Sequence, residues 1–238
     1  MKNPIHIMLD LETWGTEPGC DIRSIGACVF NPLTGYVADP DDLIEMNCNI
    51  PHTFYIACDN PVKEQDPTLG IEREYPLHRD PRTVKWWSEQ SEAAQAAFAD
   101  PVDLRVALGR FSGWLCDLIG NQFHDTPFEP IENIRLWSHG AHFDGPILAA
   151  AYKAVGLPVP WHYRAPRDTR TAFDMAGIDD HSAWLAQHPG PMGVAHHALD
   201  DAICQARAVC AAWARIDSIY WPTTKNWKNG DPVQVTYE

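Results

Sequence analysis

The sequence predicts an α/β domain in which helices flank a mixed sheet of five strands. Three observations predict it. The chain opens on apolar runs of strand character separated by turn residues, which is the pattern of an antiparallel meander. Beyond residue 80 the apolar residues shift to helical spacing. That helical pattern is interrupted by two further short apolar runs, near residues 134 and 161, which places β/α units after the meander.

The first strand is the apolar run from Ile5, closed by Gly15. Side chains alternate along a strand, so Asp10 and Glu12 project on one face. Two carboxylates at the end of a buried strand repel each other and lose solvation. A pair of hard divalent cations would offset that cost; the competing reading is a strand that runs out into an acidic loop. Residues 24–30 read as a second strand, and Asn31-Pro32-Leu33-Thr34-Gly35 as a turn. Residues 43–50 alternate well and make a third. Pro51, Pro61, Pro67 and Pro76 mark residues 51–80 as an irregular insertion, either a lid or a packing segment.

Asp80-Pro81 reads as an N-cap with proline at the first helical position, leading a helix through Trp86 and Trp87. A short helix begins at Ser91. Residues 102–119 form an amphipathic helix, with Val102, Val106, Phe111, Leu115, Leu118 and Ile119 on or near one face. The fourth strand spans residues 134–138, and a helix over 143–155 is stopped by Gly156. Residues 161–166 make the fifth strand, with a short helix from Thr169. The last helix spans 198–216, apolar at Leu199, Ile203, Ala206, Val209, Cys210 and Trp213. One domain over residues 1–216 follows, with a polar tail over 217–238 that drapes over the surface or a partner subunit.

Composition narrows the function. A formal charge of −14 is awkward for a protein that grips long nucleic acid, so any such contact should be local, short and metal-assisted. No apolar run approaches the ~18 to 20 residues of a membrane span. Asp10 and Glu12 interrupt the only apolar segment that could serve as a signal peptide, so a cytoplasmic location is expected. The 7 Cys include no C-x-x-C pair and several sit in apolar contexts, which points to reduced core thiols.

Two further acidic motifs carry the chemistry. Asp144 follows Ser138-His139-Gly140-Ala141-His142-Phe143 and sits in the first turn of a helix, a place the helix dipole favours in any case. His196 and Asp201 stand at the start of the last helix, where capping alone could explain them. In order, Asp10-x-Glu12, Phe143-Asp144 and His196-x-x-x-x-Asp201 resemble the DEDDh superfamily of 3′–5′ exonucleases. The opening Leu9 to Gly15, the Ser24-Ile25-Gly26-Ala27 strand, the Thr83-to-Ser91 segment and Arg167-Asp168-Thr169-Arg170-Thr171 are similar to the ribonuclease T-like exoribonuclease group within it. The resemblance runs from about residue 5 to residue 212; the long 51–80 segment and the acidity depart from it.

That resemblance implies a ribonuclease H-like fold, with two Mg²⁺ or Mn²⁺ ions held by Asp10, Glu12, Asp144 and Asp201. It implies that His196 takes the proton of the attacking water, and that nucleoside 5′-monophosphates leave the 3′ end of a single strand. RNA is slightly preferred over single-stranded DNA. Substrate contacts would come from Thr13, Trp14, Phe143 and His139, the two aromatics stacking on bases unless core packing claims them. A homodimer, common in the group, is expected. By helical geometry His197, four residues before Asp201, would be the better base. The family pattern spaces its histidine five residues ahead, with alanines that Ala198 and Ala202 reproduce, and so selects His196. An inactive ribonuclease H-like binding module would show erosion of a site residue, and none is missing. A structural zinc site from His139, His142, His196 and His197 would lack thiolates at recognisable spacing.

Overall fold

Strand β1 (Ile5–Thr13) is central to the sheet in the computed structural model, which describes residues 4–40, 50–66, 70–120 and 130–220. It pairs antiparallel with β2 (Ile22–Asn31), which sets Asp10 opposite Gly26 and Glu12 opposite Ser24. The Asn31 side chain accepts from the backbone of Leu33 and closes the turn into the two-residue β3 (Tyr36–Val37) on the edge of β2. Strand β4 (Thr53–Asp59) continues the meander on the other side of β2. Strands β5 (Val62–Asp66) and β6 (Gly70–Arg73) form a separate hairpin.

Helices α1 (Pro81–Ser88) and α2 (Glu92–Ala96) start at the side-chain caps Asp80 and Ser91. The short β7 (Val102–Asp103) runs parallel to β4 and leads into α3 (Leu104–Leu118). Strand β8 (Ile134–Ser138) lies parallel to β1, and α4 (Asp144–Ala154) follows it. Strand β9 (Pro166–Asp168) adds to β8, followed by α5 (Thr169–Met175), α6 (His181–Ala186) and α7 (Ala198–Tyr220). The order across the sheet is β7-β4-β2-β1-β8-β9, with β3 beside β2.

Five expectations are corrected. Residues 51–80 are not irregular: β4 joins the main sheet and β5–β6 form a hairpin. Pro51, Pro61 and Pro76 flank these strands, where a missing N–H breaks no ladder bond, so they punctuate structure without preventing it. The fifth strand is displaced to β9, and the last helix continues to Tyr220, past the expected end at 216. Val106 is exposed, because α3 buries the face of Leu104, Ala107, Leu108 and Phe111. The sheet also gains β3 and β7, each too short for periodicity to reveal. The third strand expected over 43–50 falls, but for Ile50, outside the described residues, as does the tail from 221 on.

Alternation along β1 divides the core. Ile7, Leu9 and Leu11 join α3 and α4 on one face, whereas Met8 packs with α5 and α7 on the other. Asp10 and Glu12 share the α7 face with Met8. Gly26, opposite Asp10, makes this possible, since a Cβ there would lie 2.1 Å from the carbonyl carbon of Ala198. The first turn of α7 therefore rests on bare strand backbone beside the β1 acids. The described cysteines are all free thiols, most of them buried in these two cores.

Candidate active site

Pairing of β1 with β8 stops at Met8, which leaves the backbone of Leu11 without a strand partner on that side. Asp144 takes its place: the Leu11 N–H donates to Asp144 Oδ1 at 3.0 Å. This bond ties the start of α4 to the strand between Asp10 and Glu12. Asp144 reaches the position because Gly140, at φ +113°, turns the chain between β8 and α4. A bulge between Glu12 and Thr13 ends the β1 ladder, and Trp87 Nε1 donates to the Thr13 carbonyl at 2.8 Å to hold that end.

The third contribution comes from the approach to α7. Asp200 is buried and accepts from the backbone of Met192 at 2.8 Å and Val194 at 2.9 Å, so it anchors the preceding loop. His196 then adopts a left-handed backbone, φ +61°, which is uncommon for a residue with a Cβ. Its ring lies edge-on to Trp86 at 4.8 Å. Donor atoms of Glu12, His196 and Asp201 all lie within 4.8 Å of one another. Asp10 completes the group, its Oδ1 accepting from Gln205 Nε2 at 2.7 Å. Asp10, Glu12, Phe143, His196 and Asp201 line one cleft of about 670 Å³.

The electrostatics of this cleft are unbalanced. Burial raises the Asp10 carboxyl well above its ordinary value, and Asp144, Glu12 and Asp201 add to the rise. Burial, then Asp201 and Asp144, lifts Glu12 to about 8 against the opposing pull of Arg23. Burial lifts Asp144 to about 7, although the Leu11 N–H and Arg170 oppose it. Burial and Asp200 lift Asp201 to about 6. Four acids thus crowd together with oxygen atoms as their donor set. Hard divalent cations fit that set and would relieve its repulsion.

The other expected residues divide. Thr13 lines the cleft, but its hydroxyl donates to the Gly15 carbonyl at 2.6 Å. Phe143 lines it as well. Trp14 does not stack in the cleft: the guanidiniums of Arg23 and Arg79 lie over its ring at 4.3 and 4.5 Å. His139 also lies outside, bonded through Nδ1 to Thr169 Oγ1 at 2.7 Å and packed near Phe173. His197 is half-buried, stacks on Tyr55 at 4.2 Å and does not line the cleft. Sequence reasoning missed Trp86, 41% exposed on the cleft wall, and Gln205, only 7% exposed. Gln205 stands four residues after Asp201, and that helical spacing was a usable signal.

The profile of the 3′–5′ exoribonuclease Rv2179c-like domain matches residues 5–213. The chain belongs to this family. It is a 3′–5′ exonuclease, an enzyme of the hydrolase class. Solved structures agree with the fold of this exoribonuclease domain. The nuclease domain of 3′hExo, a DEDDh family member bound to rAMP, is 12% identical with a TM-score of 0.50. That match covers 88% of this chain and 92% of that one. A 3′-exonuclease described in 3′-end-specific recognition of a histone mRNA stem-loop is 13% identical, TM-score 0.50, covering 89% and 82% of the two chains. E. coli exonuclease I, in complex with a 5cy-dT13 oligonucleotide, is 13% identical with a TM-score of 0.49. There the match covers 93% of this chain but 42% of that protein, so this chain spans less than half of its length. No curated protein matches the chain.

Proposed function

We propose that this enzyme removes nucleoside 5′-monophosphates from the 3′ end of single-stranded nucleic acid, RNA ahead of DNA. Asp10, Glu12, Asp144 and Asp201 would hold two divalent cations, Mg²⁺ or Mn²⁺. The convergence of Asp10, Glu12, Asp201 and His196 on one cleft, with Asp144 tied in behind them through the Leu11 N–H, carries this reading. When bound, such cations stabilise the attacking and leaving oxygens of an in-line displacement.

The side chains supply the rest. Burial lowers the affinity of His196 for its proton, which favours the neutral imidazole that accepts the proton of the attacking water. Trp86 and Trp87 edges confine its ring near Glu12 and Asp201. Gln205 holds Asp10 on the cleft wall, and the Leu11 N–H fixes the Asp144 carboxylate beside the strand that carries Asp10 and Glu12. Trp86 presents an exposed ring on the cleft wall and Phe143 lines the same space, which supports stacking on terminal bases. The preference for RNA rests on the family description.

A time course with 5′-labelled single-stranded RNA and DNA, in Mg²⁺, Mn²⁺ or EDTA, tests this. Shortening from the 3′ end, lost in EDTA, is the expected result; endonucleolytic products or metal-independent cleavage would overturn it. His196→Ala should cost ~10² to 10⁴ in rate, the usual worth of a general base. His197→Ala should cost far less, and an exchange of the two phenotypes would move the base by one residue.

A further inference from the structure

Some cations of this acidic chain sit in ion pairs and others do not. Lys63, Arg73, Arg79, Arg82, Lys85 and Arg207 each lie within 4.0 Å of a carboxylate. Among the described residues, Arg23, Arg105, Arg110, Lys153 and Arg215 form no such pair and are spread over separate elements, whereas the equally unpaired Arg135, Arg164, Arg167 and Arg170 are all carried by one region, β8 and the segment leading through β9 into α5.

The topology brings them together. Parallel pairing sets Arg167 beside Trp137, and Arg135 lies two residues before Trp137 on the same strand, so both arginines share one face of the sheet edge. Burial and then the neighbouring Arg135 make the Arg167 charge more costly, and both arginines, after burial, help drive His6 to about 4. Their orientation is set by backbone carbonyls. Arg167 Nη1 donates to the Arg164 and Pro166 carbonyls, both at 2.8 Å, and Arg135 Nη1 to the Ile134 carbonyl at 2.8 Å. A guanidinium has five N–H donors, so most remain available.

The group runs towards the active site. Arg170 lies over the Gly140 turn, where a Cβ would meet Nη1 at 3.2 Å, and its charge is felt by Asp144. At the other end Arg164 Nε donates to the Tyr163 hydroxyl at 3.0 Å, and the Tyr163 ring is 75% exposed. The acids nearby do not neutralise this row. Asp168 is spent on the backbone N–H groups of Ala141 and Arg170, both at 2.9 Å, and Glu132 turns towards His162.

Like charges held side by side without counterions are stabilised by a polyanion, and a row of them with an exposed aromatic suits a nucleic-acid single strand. We propose that Arg135, Arg164, Arg167, Arg170 and Tyr163 form a track for the sugar–phosphate backbone of the substrate strand 5′ of the cleft. This rests on the exonuclease reading above. The track explains how a chain of charge −14 holds a polyanion: four arginines without carboxylate partners gather along one edge beside the acids.

The test compares a dinucleotide, which fills only the cleft, with a single-stranded RNA of about 12 nucleotides. The variants are Tyr163→Ala/Arg164→Glu, both at exposed positions, and Arg135→Glu/Arg167→Glu. Each should raise KM for the longer RNA at least about 5-fold, the least expected when a base stack and a phosphate contact are lost. Dinucleotide kcat/KM should stay within about 2-fold of the parent enzyme. The salt dependence of log K should flatten by about 0.7 for each phosphate contact removed. Equal effects on both substrates, no effect on either, or competition by polyglutamate as strong as that by RNA would overturn the track. If the parent enzyme degrades neither substrate, the exonuclease reading fails instead.

Discussion

Two groups of carboxylates, buried or partly buried, flank Trp14, and their neighbours treat them in opposite ways. On one side Asp21 meets Arg79 at 2.9 Å and Arg73 at 3.9 Å, and Asp59 shares both guanidiniums. Burial raises the Asp21 carboxyl, but Arg79, Asn60 and Arg73 all pull it back. On the other side Asp10, Glu12, Asp144 and Asp201 crowd together, and for Asp10 and Glu12 acidic neighbours reinforce the effect of burial. Arg23 is the cation that opposes the rise at Glu12, itself held over the rings of Trp14, Trp87 and Phe98. The paired group stabilises the fold as it stands. The crowded group stores repulsion that a cationic ligand would release, which is the mark of a binding site more than of a structural network.

Removing one charge from each group should separate them most sharply. Asp10→Asn should abolish cleavage while leaving the metal-free melting temperature no lower, because it relieves repulsion. A variant that keeps most of its activity would end the assignment of Asp10 as a ligand. Arg79→Met should do the opposite, costing about 3 kcal/mol of stability by leaving Asp21 buried without its closest cation. Chemical denaturation measures it, and a loss under about 1 kcal/mol would show that the pair is not structural.

A smaller effect should come from Gln205. Its Nε2 holds Asp10, while its buried Oε1 has no partner among the described residues. Gln205→Leu should preserve the fold and weaken Mn²⁺ binding by ~10- to 100-fold, as losing a partner of a ligating carboxylate does. Calorimetric titration reads this directly; unchanged affinity would reduce Gln205 to packing.

The smallest effect concerns pH. Glu12, Asp144 and Asp201 hold their protons more tightly when folded, at about 8, 7 and 6. The folded state therefore binds more protons than the unfolded one above the ordinary carboxylate range, and stability falls as pH rises through those values. His6 and His139, lowered to about 4, act in the reverse sense, but only below their ordinary range near 6.5. Between about pH 6.5 and 8.5 the metal-free melting temperature should decline, and saturating Mn²⁺ should flatten or reverse the slope. A flat metal-free profile would mean that the crowded acids titrate normally.

Much of this was legible before the fold. Alternation placed Asp10 and Glu12 on one face, Asp80 and Ser91 started their helices, and the resemblance to the family pattern, against helical spacing, singled out the histidine that lies in the cleft. The strands within 51–80 were hidden because proline was read as a breaker when it stands between strands. Trp14 and Trp86 look alike in sequence, and nothing local says that one is covered by two guanidiniums while the other faces the cleft.

By itself, then, the sequence determined the identity and order of the acids, the histidine and the elements that bear them. Strand alternation and helix initiation depend on residues a few positions apart, so a linear pattern can express them. Tertiary structure alone decided that Leu11 binds Asp144, that Gly26 admits the first turn of α7, that Gln205 grips Asp10 and that Trp14 is withdrawn. Leu11 and Asp144 are 133 positions apart, and Asp10 and Gln205 are 195 apart. Contacts of that range are set by how sheet and helices pack, and no local period encodes them.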